Sequence, residues 1–195
     1  MPRTIAFDYK RALGKATRVF WKNGYVGTSL HDLLKAMKIG ESSFYNTLKS
    51  KKHLYIECLN HYEETEVRKR SQALMSPPTA SQGIRAQFAS VLDCLDDPKS
   101  PSRLCMFAAM ASVDVLSDRE LRKRIEDRMV NYRSQIAHRL RNDRDRGLLP
   151  RELNPETIAS IIATYQQGIW RMALLDYNRT AFEGQVDVFL KGLGL

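Results

Sequence analysis

Apolar residues recur at helical spacing along nearly the whole chain, and the breaks between runs predict nine helices and no strand. The first runs from Tyr9 to Asn23, with Ala12, Leu13, Ala16, Val19 and Phe20 on one face and Asn23-Gly24 as its stop. The second, Ser29 to Met37, aligns Leu30, Leu33, Leu34 and Met37, with Thr28 placed as its N-cap. A much shorter third helix is predicted from Glu41 to Leu48. Only Phe44 and Leu48 anchor it inward, while Glu41, Ser42, Tyr45, Asn46 and Lys49 point away. Gly40 supplies the tight turn between the second and third helices, and Trp21 and Tyr25 are expected to close the small core. A helix of this length is not stable alone, so its exposed polar face requires a reason beyond packing.

The remaining pattern is a bundle. Helix four spans about Lys51 to Ala73, apolar through Leu54, Cys58, Leu59 and Tyr62 and then polar through EETEVRKRSQ, as expected of a connecting helix. Pro77-Pro78 ends it. Helix five covers Thr79 to Leu95, and the loop DDPKSPS follows. An apolar helix opens near Ser102 with LCMFAAMASVDVL. Ser117 and Glu120 have capping-box spacing and open a long helix reaching about Arg146. Its inward residues are Leu121, Ile125, Met129, Tyr132, Ile136 and Leu140, and its arginine-rich outer face reads as solvated surface. The last two helices are Pro155 to about Asp176 and Thr180 to Leu190. The fold class is therefore all-α: a helix-turn-helix domain over 1–50, a connecting helix over 51–75, and a larger bundle over 76–195.

Composition narrows the function. With 43% hydrophobic residues the chain of 195 has enough apolar mass for a core. No run approaches the roughly 18 apolar residues of a membrane span, and MPRTIAFDYK lacks a signal peptide's apolar segment, so a cytoplasmic location is expected. Residues 1–8 form a short basic lead-in, expected to be loosely held. Three unclustered cysteines, Cys58, Cys94 and Cys105, fit neither a disulfide framework nor a zinc site. The histidines are scattered and no phosphate loop occurs, so no enzyme, metal or cofactor is expected. The net charge of +9 is uneven: residues 1–55 hold 11 Lys and Arg against 3 Asp and Glu, residues 56–195 hold 20 against 19. Positive charge confined to the helix-turn-helix region points to a polyanionic partner.

The run IGESSFYNTLKSKKHLY resembles the recognition-helix segment of the tetracycline-repressor (TetR) family of bacterial regulators, through Ser43, Phe44, Tyr45, Asn46, Thr47, Leu48, Ser50 and Lys51. GYVGTSLHDL is similar to that family's lead-in, in which the residue at Thr28 caps a helix and faces phosphate. The resemblance covers about residues 5–60. Lys38 departs from it where the family usually has glycine, and Leu48 where it usually has phenylalanine. It implies phosphate contacts from Thr28, Ser29, Tyr45, Lys49 and Lys51, which fix register. Glu41, Ser42, Ser43, Asn46 and Thr47 are the candidates for base edges, Asn for adenine and Glu for cytosine N4. For Ser43, close helix packing is an equal alternative.

For the larger bundle the resemblance implies a small-molecule pocket that controls the spacing of two DNA-binding heads. Its candidate lining is Phe88, Leu92, Cys105, Met106, Phe107, Met110, Tyr132, Tyr165, Gln166 and Trp170. The polar members Tyr132, Tyr165 and Gln166 are favoured because a pocket needs a few oriented polar groups. Cys105, near a predicted helix start, has two readings: a reactive sensor thiol or a small buried hydrophobe. The helix from Pro155 carries apolar residues on two faces, Ile158, Ile161, Ile162, Tyr165 and Ile169 against Ala159, Ala163, Trp170, Ala173 and Leu174. It is either central to its own domain or half of a homodimer interface built from the last two helices. The expected protein is a ligand-responsive repressor of a palindromic duplex-DNA operator; the alternative is a basic helical module for RNA or an acidic protein.

Overall fold

A computed structural model describes residues 8–195; the basic lead-in lies outside these residues except for Asp8. Three helices form the N-terminal unit. In α1 (Tyr9–Asn23) Asp8 accepts from the Arg11 N–H, and Ala12, Ala16 and Phe20 are buried. In α2 (Leu30–Met37) the cap is Ser29, one residue later than expected. Asp32 completes a reciprocal capping box, its backbone N–H bonding Ser29 Oγ and its carboxylate accepting from the Ser29 N–H. Thr28 is buried and donates its hydroxyl to the Gly24 carbonyl at 2.6 Å. α3 (Glu41–Leu48) buries only Phe44 and Leu48. The left-handed residue in the α2–α3 turn is Lys38, with φ 59° and ψ 45°, whereas Gly40 is extended.

The connection to the body is one nearly continuous helix: α4 (Lys51–Tyr62), a π-helical turn (Glu63–Val67) and α5 (Arg68–Met75). Five residues of wider winding rotate the faces of α5 relative to α4, and the side chains of Val67 and Arg70 turn into the body. α6 (Ala80–Asp96) folds back along α5, so closely that Gly83 faces the Leu74 carbonyl. Its first N–H groups are satisfied by Thr79 and by the buried carboxylate of Asp143, which accepts from Ala80 N–H.

Residues 102–117 do not form one helix. Two single turns, α7 (Met106–Ala109) and α8 (Val113–Leu116), flank an extended Ser112, and the Arg171 guanidinium donates to the Ala108 and Ala111 carbonyls between them. Side-chain donors thus replace the hydrogen bonds that helix continuation would have made. The long helix α9 (Arg119–Asp145) is capped by Asp118, which accepts from the Glu120 and Leu121 N–H groups, rather than by Ser117. α10 (Pro155–Met172) packs along α9, and α11 (Arg179–Gly192) lies against α6. Trp21 does not serve the small core: its indole donates to the Leu104 carbonyl and its ring meets Tyr62 edge-on. It joins the N-terminal unit to the body, while Lys52 with Asp118 and Glu120, and Arg124 with Asn60 and Glu63, fasten the connecting helix to α9 and its cap.

Candidate nucleic-acid interface and interior cavity

The surface of α3 carries the arrangement expected of a groove reader. Phe44 and Leu48 are each 1% exposed, so the helix is pinned along one edge only. Glu41, Ser42, Ser43, Asn46, Thr47 and Lys49 are all exposed, and Tyr45 keeps half its surface free while its ring stands edge-on to Phe44. Ser43 is therefore not a packing residue. The phosphate candidates divide. Ser29 is exposed but its hydroxyl is engaged with Asp32, and Thr28 offers no free hydroxyl. Lys51 lies 4.7 Å from the Tyr25 ring centre, where burial moves its ammonium below its ordinary pKa. Lys49 ends α3 with φ 60° and is exposed. Lys52 beside it is committed to Asp118 and Glu120.

Inside the body, an interior cavity brings together part of the predicted pocket. Cys105, Phe107, Tyr132, Gln166 and Trp170 line it, with Val67, Arg70, Gln87, Arg128, Met129 and Gln167. Phe88 and Leu92 instead flank a surface groove beside α11. Met106 and Met110 are ordinary core, and Tyr165 stacks on Phe189 with ring centres 3.9 Å apart, joining α10 to α11. Cys105 precedes a four-residue turn rather than a long helix, so the helix-dipole activation expected of it is largely lost. It is buried in the cavity wall.

The polar contacts around the cavity are specific. The Tyr132 hydroxyl donates to Gln166 Oε1 and lies 3.3 Å from Gln87 Oε1. Burial pushes the Tyr132 and Tyr62 phenols above their ordinary range, so both stay protonated. Arg70 and Arg128 were not anticipated. Arg70 sits in the polar run EETEVRKRSQ, and Arg128 belongs to the arginine-rich face read as solvated; its side chain is only 11% exposed. Neither run has an apolar neighbour pattern that would mark it as interior, because the π-helical turn and tertiary packing decide it.

Among the described residues no helix is long and apolar enough to cross a membrane. No protein-family model matches the chain. It is 31% identical over 166 residues to the uncharacterized HTH-type transcriptional regulator YezE of Bacillus subtilis (strain 168), covering 85% of this chain and 83% of that protein. It is 26% identical over 187 residues to the HTH-type transcriptional repressor DhaR of Mycobacterium sp. (strain GP1), covering 92% and 88%. Among solved structures, the TetR family transcriptional regulator CifR, as a cysteine mutant complexed with 26-bp double-strand operator DNA, superposes with a TM-score of 0.89. That similarity spans 97% of this chain and 98% of CifR at 28% identity.

Proposed function

The chain belongs to the TetR family of helix-turn-helix transcriptional regulators, and from that premise we propose that it represses transcription by binding a palindromic operator as a homodimer and leaves the operator when a small molecule enters its body. The observation that carries the reading is α3: a helix with two inward residues and an otherwise exposed polar face, inside the segment that holds nearly all the excess positive charge. Lys49, Lys51 and Tyr45 supply phosphate contacts; Glu41, Ser42, Ser43, Asn46 and Thr47 supply base-edge contacts. Ser29 acts mainly as a cap.

The dimer has support of its own. In the single chain Ala159, Ala163, Trp170 and Ala173 are buried within their own bundle, so that stripe no longer argues for a partner. What remains uncovered on the last two helices and the turn between them is Ile161 and Leu174 from the two predicted faces, with Met172, Leu175 and Val188. A monomer gains nothing from leaving this many large apolar side chains exposed at one end of the chain. A twofold pairing through α10 and α11 covers it and sets two recognition helices on half-sites roughly 34–36 Å apart.

The test is selection of bound fragments from genomic DNA, then titration of the best fragment at fixed salt. A palindromic site preferred on the order of 10³-fold over random duplex, weakened by Tyr45→Ala and Lys49→Ala, is the expected result. Salt-sensitive binding without sequence preference would reduce the protein to a basic helical module for RNA or an acidic protein.

A further inference from the structure

Arg70 is 5% exposed and lines the interior cavity, yet among the described residues its charge has no counter-ion. Its one hydrogen bond goes from Nη2 to the Tyr62 hydroxyl at 3.2 Å, and its guanidinium carbon lies 5.7 and 5.6 Å from the ring centres of Tyr62 and Trp170. No carboxylate among the described residues pairs with it. Glu66 pairs with Lys69, and Glu63 is shared between Arg124 and Arg128. Burial raises the Tyr62 phenol and the Cys94 thiol and keeps both protonated, so neither of these neighbours supplies the missing negative charge. A guanidinium has five donors and cannot lose its proton at any physiological pH. A buried, unpaired charge of this kind opposes folding unless something else requires it.

The surroundings define what is missing. Arg128 stands across the cavity, its Nε 3.6 Å from Glu63 and its guanidinium near the rings of Phe107 and Tyr132. Arg128 shares Glu63 with Arg124, so of the two arginines in the cavity wall Arg70 is the one with no carboxylate contact among the described residues. The remaining wall is apolar or aromatic apart from Gln87, Gln166, Gln167, the Cys105 side chain and the Tyr132 hydroxyl, and it holds no carboxylate. We infer that the effector is a small organic monocarboxylate whose carboxylate is received by Arg70 and whose apolar part lies among Trp170, Phe107 and Met129. This rests on the ligand-responsive reading above and specifies its ligand.

The cavity is about 30 Å³, room for roughly one water, so the ligand must displace wall residues to enter. That requirement links occupancy to shape. Val67 in the wall belongs to the π-helical turn, and Arg70 follows it by three residues on the helix leading to the DNA-binding unit. π-helical insertions recur at functional sites because their extra residue can be taken up or released. A carboxylate that draws Arg70 inward acts directly on that connection.

The experiment uses the full chain with benzoate, phenylacetate and octanoate, each beside its neutral amide, in sodium chloride matched for ionic strength. Thermal melting and the fluorescence of Trp170, read in a Trp21→Phe background, report binding; affinity for the selected operator is measured alongside. At least one carboxylate should raise Tm by about 5–10 °C at about a hundredfold excess over its Kd and lower operator affinity, while its amide does neither. Arg70→Met should melt at the same temperature or higher, keep operator binding and lose the response; Arg70→Lys should retain part of it. If no carboxylate outperforms its amide on a protein that binds its operator, the inference falls and the regulator reading stands. A lower Tm in Arg70→Met, with no carboxylate response in the unaltered protein, would make Arg70 a structural residue. Carboxylate binding by a protein that shows no DNA sequence preference would strip the site of its effector role.

Discussion

At the scale of the residue, the helix-turn-helix depends on backbone angles as much as on side chains. Lys38 holds φ 59° in the turn before α3, a conformation costing a residue with a Cβ about 1–2 kcal/mol. Glycine escapes that cost but loses more freedom on folding, by roughly 0.5–1 kcal/mol. Lys38→Gly should therefore stabilise the protein by about 0.5–1 kcal/mol, read as a higher urea midpoint at unchanged m-value. Gly40, which looks from the sequence like the turn's special residue, is extended and has open space where a Cβ would lie. On α3 itself, the two proposed kinds of contact should separate in their effects. Asn46→Ala should cost about 1–3 kcal/mol on the cognate operator and relax preference at one base pair. Lys49→Ala should instead weaken all duplexes alike and reduce the salt slope of binding by about one. A fluorescence-anisotropy titration against salt and single-base operator variants distinguishes them.

At the scale of the element, the tightest constraint is the crossing of α5 and α6. A Cβ on Gly83 would stand 2.2 Å from the Leu74 carbonyl oxygen, and that obstacle is backbone, which cannot swing aside. Gly83→Ala should cost about 3 kcal/mol or more, seen as a lower melting temperature or loss of soluble protein. Nothing in the sequence announces this glycine; it falls within an ordinary helical run, and only the partner backbone makes it necessary. The same contrast governs the rest of the fold. α1 and α3 were legible residue for residue, because amphipathic spacing and punctuation by Gly24, Gly40 and Ser50 agree with the final packing. Residues 102–117 were not, since the apolar stretch from Cys105 to Met110 is buried almost throughout and carries no phase, and the break at Ser112 is held by Arg171 from another helix. The exposed α3 residues were equally plain, whereas the interior cavity was half legible: Tyr132, Gln166 and Trp170 lie on readable apolar stripes. Arg70 and Arg128 lie in charged runs that look solvated until the π-helical turn and α9 fold them inward.

At the scale of the whole molecule, the proposed dimer requires two DNA-binding units held at a fixed separation. The N-terminal unit is fastened to the body by Trp21, and the connecting helix by Lys52 and Arg124, so in the proposed dimer the spacing of two such units depends on the surface that pairs the bodies. Val188 lies on the proposed pairing face, 74% exposed on α11. In an isolated chain Val188→Arg replaces one solvated side chain by another and should leave the melting of a monomer almost unchanged. In a twofold interface the same change places two like charges in an apolar contact and should separate the subunits. Sedimentation should then show a mass near 22.4 kDa instead of twice that value. Operator binding should fall by about 10²–10⁴-fold, because the second half-site no longer gains from being tethered to the first. Binding to a single isolated half-site should persist at its weak level, since α3 and its surroundings are untouched. A Val188→Arg protein that still sediments as a dimer and still binds the full operator would move the pairing surface away from α10 and α11. The uncovered residues Ile161, Met172 and Leu175 would then require a different partner.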